Sequence, residues 1–149
     1  MPARLKLWIP LALVVALALG LANRRHPTLT VLSVGQGDCA VFRSSGFTLL
    51  VDAGPKTDSL DAGERIVAPK LRRMGVRSLD LVVITHPDAD HLGGLPALAK
   101  RFRIGRVAAS SAFQFHPDMV AALKEANLED EVVWIQRDAE IGSNVCIDR

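Results

Sequence analysis

Tyrosine is missing from this sequence, and the aromatic side chains amount to five Phe and two Trp. That poverty leaves no obvious platform for stacking nucleic-acid bases. Cysteine is as scarce. Cys39 and Cys146 stand far apart and fit no C-x2-C zinc spacing. Cys39 falls in a small-residue turn and Cys146 in an apolar run, so both read as small buried hydrophobes. Pairing in an oxidising compartment is the alternative. An excess of one charge is lacking too. The net charge of +2 gives no argument for a nucleic-acid partner by itself. Histidine occurs four times, and two of the four fall within one six-residue stretch. At 149 residues the chain is long enough for one domain with its own core.

The sequence does have one uncharged apolar run, Leu7 to Ala22, preceded by Arg4 and Lys6 and followed by Asn23, Arg24 and Arg25. Roughly 20 apolar residues span a bilayer comfortably, and this run is shorter. It fits a signal-peptide core or a short membrane anchor. Gly20-Leu21-Ala22 is an acceptable cleavage site, whereas the arginines beyond it argue for retention. Residues 1–26 are read as an uncleaved anchor, with cleavage as the alternative. Both readings put residues 27–149 outside the cytoplasm, attached to the membrane or released from it.

Beyond Pro27 the pattern changes. Thr28–Val34 alternates and is β-branched, which predicts a strand. Ala40–Arg43 and Phe47–Val51 follow as strands across turns at Gly35–Asp38 and Ser44–Gly46. Lys56–Ala62 reads as a polar loop. Gly63–Met74 predicts an amphipathic helix closed by Gly75, with Pro69 kinking it or marking a first turn. Leu79–Ile84 is a nearly continuous apolar run, as expected of a buried strand. A short helix over Leu95–Arg101, a strand over Ile104–Ala108, a helix over Pro117–Ala126 and a strand over Val132–Ile135 complete the pattern. A last strand begins near Val145. Helices and strands alternate after an initial meander, so the class is mixed α and β.

The informative stretch is Thr85-His86-Pro87-Asp88-Ala89-Asp90-His91-Leu92-Gly93-Gly94. Imidazole and carboxylate groups are good ligands for divalent metals. His86, Asp88, Asp90 and His91 supply four within six residues, at the carboxyl end of a predicted buried strand, where the sites of open α/β sheets collect. Gly93-Gly94 lets the backbone bend beside them. No Ser or Cys has comparable company. Metal coordination can itself generate a nucleophile by lowering the pKa of water. An ordinary His-Pro-Asp turn with Asp90 capping a helix is the plain alternative. The four donors together, placed between a buried strand and Gly-Gly, favour the metal reading.

This stretch resembles the H-x-H-x-D-H signature of the metallo-β-lactamase superfamily, with Asp88 in place of the second histidine. That departure resembles the β-lactamase-like domain of ComEC-type competence (DNA-uptake) proteins. Two other stretches agree with that group: Val31-Leu32-Ser33-Val34-Gly35-Gln36-Gly37-Asp38-Cys39-Ala40, with Ser33 where the group usually has Asp, and Leu50-Val51-Asp52-Ala53-Gly54. The resemblance covers about residues 29–149. It implies half of a four-layer αβ/βα sandwich, the N-terminal membrane helix preceding it. It also implies two divalent ions, zinc or manganese, in the cleft of the complete fold. His86 and Asp88 would bind the first, Asp90 and His91 the second. Asp38 and Asp90 would serve the reaction, and Asp52 would orient ligands from behind. From its residues alone, Asp38 reads as a turn residue and Asp52 as a cap or Asx-turn.

The superfamily site also draws a further His, an Asp and a last His from a second half. After the motif this sequence offers only His116, better placed to cap the helix at Pro117 than to bind metal. The chain is therefore expected to be a truncated or partial form of the fold. The implied activity is phosphodiester hydrolysis on DNA during uptake, with single-stranded DNA and the membrane as partners and no small-molecule cofactor. A hydrolase of another ester or amide, and a non-catalytic membrane-tethered binding module, are the other readings. Lys70, Arg72, Arg73 and Arg77, with Lys100, Arg101, Arg103 and Arg106, form either a phosphate-tracking surface or two solvated faces.

Overall fold

The structure is a computed structural model that describes residues 26–136. The expected anchor, apart from its last residue His26, lies outside the described residues, as do Cys146 and the strand near Val145. No helix among the described residues is long and apolar enough to cross a membrane.

Three antiparallel strands open the fold: β1 (Thr28–Val31), β2 (Ala40–Ser44) and β3 (Phe47–Val51). β2 and β3 join through Ser45-Gly46, at φ 38° and 90°. Two positive φ angles in succession give the turn the twist that a tight hairpin needs. The expected strand Thr28–Val34 ends at Val31, although the Leu32 amide still bonds the Cys39 carbonyl at 2.8 Å.

The chain then turns to helix-linked parallel strands. Gly63–Val67 forms a π-helical turn that runs into α1 (Ala68–Arg73). Pro69 sits in the first turn of α1 directly after the π-helical turn, and with no N–H it cannot donate back to that turn. The expected strand Leu79–Ile84 is two strands, β4 (Ser78–Leu79) and β5 (Leu81–Ile84). Asp80 separates them: its Oδ2 accepts the Thr48 amide at 2.7 Å, and its own amide bonds the Thr48 carbonyl at 2.9 Å. The expected strand Ile104–Ala108 divides in the same way into β6 (Arg103–Ile104) and β7 (Val107–Ser110). β4 and β6 pair with each other as a small parallel ribbon. Between β5 and β6 lie two short helices, α2 (Ala89–Leu92) and α3 (Leu95–Ala99). The chain continues through α4 (Pro117–Ala126) to β8 (Val132–Ile135), both over the expected spans. Asn127 closes α4 in the left-handed conformation.

The main sheet has six strands in the order β1-β2-β3-β5-β7-β8, and β3, β5, β7 and β8 are mutually parallel. Val41, Leu50, Val82, Ile84, Val107 and Ala109 join the main core with Leu71, Leu95, Leu98, Met119 and Leu123 from the helices. The opposite face is also apolar. Register sets Leu29, Phe42, Leu49 and Leu81 in one row across the sheet and Val31, Ala40, Val51, Val83, Ala108 and Val133 in the next. A sheet with two apolar faces is built as an inner layer. Leu29 and Val31, on the edge strand, are 67% and 75% exposed.

Candidate metal centre

Parallel β3 and β5 end side by side, and both loops that leave them carry acidic residues. Asp52 follows β3 directly with φ 56°, a left-handed conformation that Asp tolerates better than most side chains. The turn folds its carboxylate inward, and only 2% of the residue is exposed. Thr85, just past β5, meets it with two donors. Its amide reaches Oδ1 at 2.8 Å and its hydroxyl reaches Oδ2 at 2.6 Å. His91 Nδ1 lies 3.0 Å from the same Oδ2. An ionised carboxylate only accepts, so Nδ1 carries the hydrogen and Nε2 keeps a lone pair.

His91 sits on α2, which begins after Asp88. Backbone bonds tie this helix to the segment after β3: Ala53 N–H to the His91 carbonyl at 2.6 Å, Lys56 N–H to the Ala89 carbonyl at 3.3 Å, and Gly94 N–H to the Gly54 carbonyl at 3.0 Å. Gly94 allows this crossing, since a Cβ there would strike the Ala53 carbonyl oxygen. The two motifs are thus one knot of backbone.

The remaining donors stand in pairs. His86 Nε2 is 3.5 Å from Asp88 Oδ2, and His91 Nε2 is 3.7 Å from Asp90 Oδ2. The two imidazole centres are 6.0 Å apart, and the His86 ring also meets the edge of Phe113 at 5.5 Å. Asp38 is exposed, and its charge acts on His91. Among the described residues no three His, Cys, Asp or Glu side chains converge tightly enough to hold one ion. The chemistry of the set still fits a divalent cation: two imidazoles, several carboxylates, and a buried acceptor that puts the hydrogen of the neutral His91 ring on Nδ1 and leaves Nε2 as its ligating nitrogen.

The hydrogen bond to Asp52 raises the His91 pKa above the ordinary histidine value. Burial opposes this, and the charges of Asp52, Asp90 and Asp38 add to it. With metal chelated, the His91 contribution is fully present below about pH 6.5, the unfolded value, and is lost as pH rises through the higher folded value. The urea midpoint of the wild type is expected to fall more steeply over that window than that of Asp52→Asn. Parallel profiles would mean that the bond does not persist in solution.

Other expected residues fall elsewhere. His116 occupies the N-cap position of α4, but its side chain makes no capping bond. Its Nδ1 is buried without a hydrogen-bond partner, 3.9 Å from Asp118 Oδ2. Cys39 is a buried free thiol, with its pKa pushed up to about 12 by desolvation and by Asp52. That leaves it unreactive at neutral pH. Arg77 precedes β4, Arg103 lies in β6 and Arg106 follows it, all at the amino ends of β5 and β7, and Arg72 lies over the Phe102 ring at 5.9 Å. That edge is opposite the one that carries His86–His91. Lys100 and Arg101 are paired with Glu125 and Glu64. Sequence reasoning missed Thr85 as the anchor of Asp52. The available signal was a hydroxyl residue at the end of a buried strand, immediately before the acidic motif.

A mixed sheet with helices packed on one face and a His/Asp loop at the carboxyl end of a central parallel strand defines an α/β scaffold of metal-site type. The chain belongs to the metallo-beta-lactamase superfamily, whose family model matches residues 32–143. It is similar to ComE operon protein 3 of Bacillus subtilis (strain 168), 28% identical over 112 residues, which cover 66% of this chain and 14% of that protein. It is 38% identical to competence protein ComA of Neisseria gonorrhoeae over 72 residues, 48% of this chain and 10% of that one. It is 30% identical to ribonuclease Z of Aeropyrum pernix over 116 residues, 72% of this chain and 37% of that one. The chain therefore spans well under half the length of the curated relatives it matches. Among solved structures, the metallo-beta-lactamase SMB-1 in a complex with mercaptoacetic acid superposes with a TM-score of 0.55 at 20% identity, covering 75% of this chain and 45% of that one. That likeness shows the fold alone. The competence relatives support the ComEC-type resemblance of the three sequence motifs.

Proposed function

We propose that this chain carries the ligand-bearing part of a metal-dependent phosphodiesterase that acts on single-stranded DNA outside the cytoplasm, tethered by its N-terminal apolar run. The observation that carries the reading is the Asp52–His91 bond at the carboxyl end of β3 and β5. A buried carboxylate that holds an exposed-side imidazole in one tautomer is the arrangement of a ligand histidine. The names of the relatives support the substrate class, since two are competence proteins by name or operon and one is a ribonuclease.

His86 and Asp88 would hold one divalent cation, and Asp90 and His91 a second. Bound zinc or manganese supplies a water of lowered pKa and offsets negative charge at phosphorus. Asp52 fixes the His91 ring, and Thr85 fixes Asp52. Asp38, exposed and close enough for its charge to act on His91, would take the proton of the attacking water.

The test is incubation of the full chain with a labelled single-stranded oligonucleotide and manganese or zinc. Cleavage is expected, abolished by EDTA and lowered at least about 100-fold in Asp90→Ala, the order expected when a group at the reacting centre is lost. A chain that binds metal and turns over esters or amides, but leaves nucleic acid intact, would overturn the substrate assignment.

A further inference from the structure

Beside Asp90 lies an open pocket of about 480 Å³, large enough for one nucleotide unit. Two loops make its walls. One is the turn before β2, with Val34 and Gln36. The other is the segment after β3, expected from sequence as a plain polar loop. It is a small hairpin instead: Lys56 bridges Asp61, the Thr57 amide bonds the Leu60 carbonyl at 2.7 Å, and the Thr57 hydroxyl accepts the Leu60 amide at 3.1 Å. The Ala62 amide closes its base on the Pro55 carbonyl at 2.9 Å. The wall is therefore preformed, so a ligand need not order it.

The lining divides by chemistry. Gln36, Lys56, Thr57 and Ser59 are polar residues, while Pro55 and Leu60 are apolar. The Lys56 ammonium rests on Glu125 at 3.3 Å, and Lys100 rests on the same carboxylate oxygen at the same distance. One carboxylate thus faces two cations. Glu125 keeps a partner when Lys56 turns to another anion, so the swing is inexpensive for these exposed groups.

Resting on the phosphodiesterase reading above, we infer that this pocket is the subsite for the nucleotide next to the scissile bond. Lys56 takes that nucleotide's phosphate, and the sugar and base lie against Pro55 and Leu60. With no aromatic side chain in the lining, the base is gripped by apolar contact rather than stacking.

Lys56→Gln and Glu125→Gln in the full chain test this. In the first, KM for a single-stranded oligonucleotide with manganese should rise about tenfold with kcat within about twofold, the pattern of lost uniform binding. Binding of a fluorescent oligonucleotide in EDTA, followed by anisotropy across salt, should give a log–log slope shallower by about 0.7, one phosphate contact on a single strand. Glu125→Gln frees Lys56, so KM should stay or fall. A wild type that cleaves while Lys56→Gln changes neither KM nor slope sinks the subsite and leaves the phosphodiesterase standing. If Glu125→Gln raises KM as much as Lys56→Gln, Lys56 acts only through its ion pair and the subsite is again overturned. A wild type that neither binds nor cleaves the strand removes both readings.

Discussion

Asp52→Asn will leave the chain folded and weaken its hold on zinc or manganese by about 10–100-fold, the usual effect of losing the group behind a ligand histidine. The substitution is nearly isosteric. The asparagine carbonyl can still accept the Thr85 amide, now 2.8 Å from Asp52 Oδ1. Its NH2 group stands where Oδ2 stood, facing the Thr85 hydroxyl and His91 Nδ1. Both can accept, so no buried group is left unpaired. But Nδ1 must then be the acceptor, and the ring hydrogen moves to Nε2. The nitrogen turned toward Asp90 is then protonated and cannot ligate.

Asp52→Ala separates the two roles of the carboxylate. It orphans the Thr85 amide and hydroxyl, and it leaves His91 without an orienting partner. Thr85 is open to solvent, so a stability loss of about 1 kcal/mol per hydrogen bond removed is expected on top of the lost metal affinity. Thermal melts in EDTA read the first effect, and calorimetric titration with metal reads the second. If Asp52→Asn takes up metal as tightly as the wild type, His91 is not held for coordination and the centre lies elsewhere.

How much of this was legible beforehand depends on the range of the interaction. Pro117–Ala126 and Val132–Ile135 could be bounded from local signals alone: a proline in the first turn, a left-handed Asn127 after the last, and an apolar run. The breaks at Asp80 and Gly105 could not. They exist because β4 leaves the main sheet to pair with β6, a contact between residues far apart in sequence. Nothing in Leu79–Ile84 itself announces that Asp80 will cross to Thr48. The motif donors were legible as a set because they sit within six residues. Asp52 was not legible from its neighbours, which suggest a turn; only the family resemblance brought it to the site. Thr85 and the hairpin at Lys56 were missed because a hydroxyl or a polar loop gains meaning only from what packs against it.

Glycine carries the same lesson in the Gly35-Gln36-Gly37-Asp38 turn, where two residues of one type have different constraints. Gly35 has φ +90° and open space where a Cβ would stand. Gly37 has φ +116°, and its Cβ would run into the Asp90 carbonyl oxygen and come within 3.1 Å of the Asp90 Cβ. Gly35→Ala is therefore expected to add only backbone strain, about 1–2 kcal/mol. Gly37→Ala adds the same strain plus a collision with backbone, roughly a further 1–3 kcal/mol. Relief can come only by moving the turn or by moving Asp90, and either separates Asp38 and Asp90 from their present positions. Gly37→Ala should therefore lose metal affinity out of proportion to its loss of stability, whereas Gly35→Ala should lose stability alone. Melting in EDTA and metal titration on both variants give the comparison. Equal metal affinity in the two would show that the turn does not brace Asp90, and the coupling between the first motif and the third would have to be abandoned.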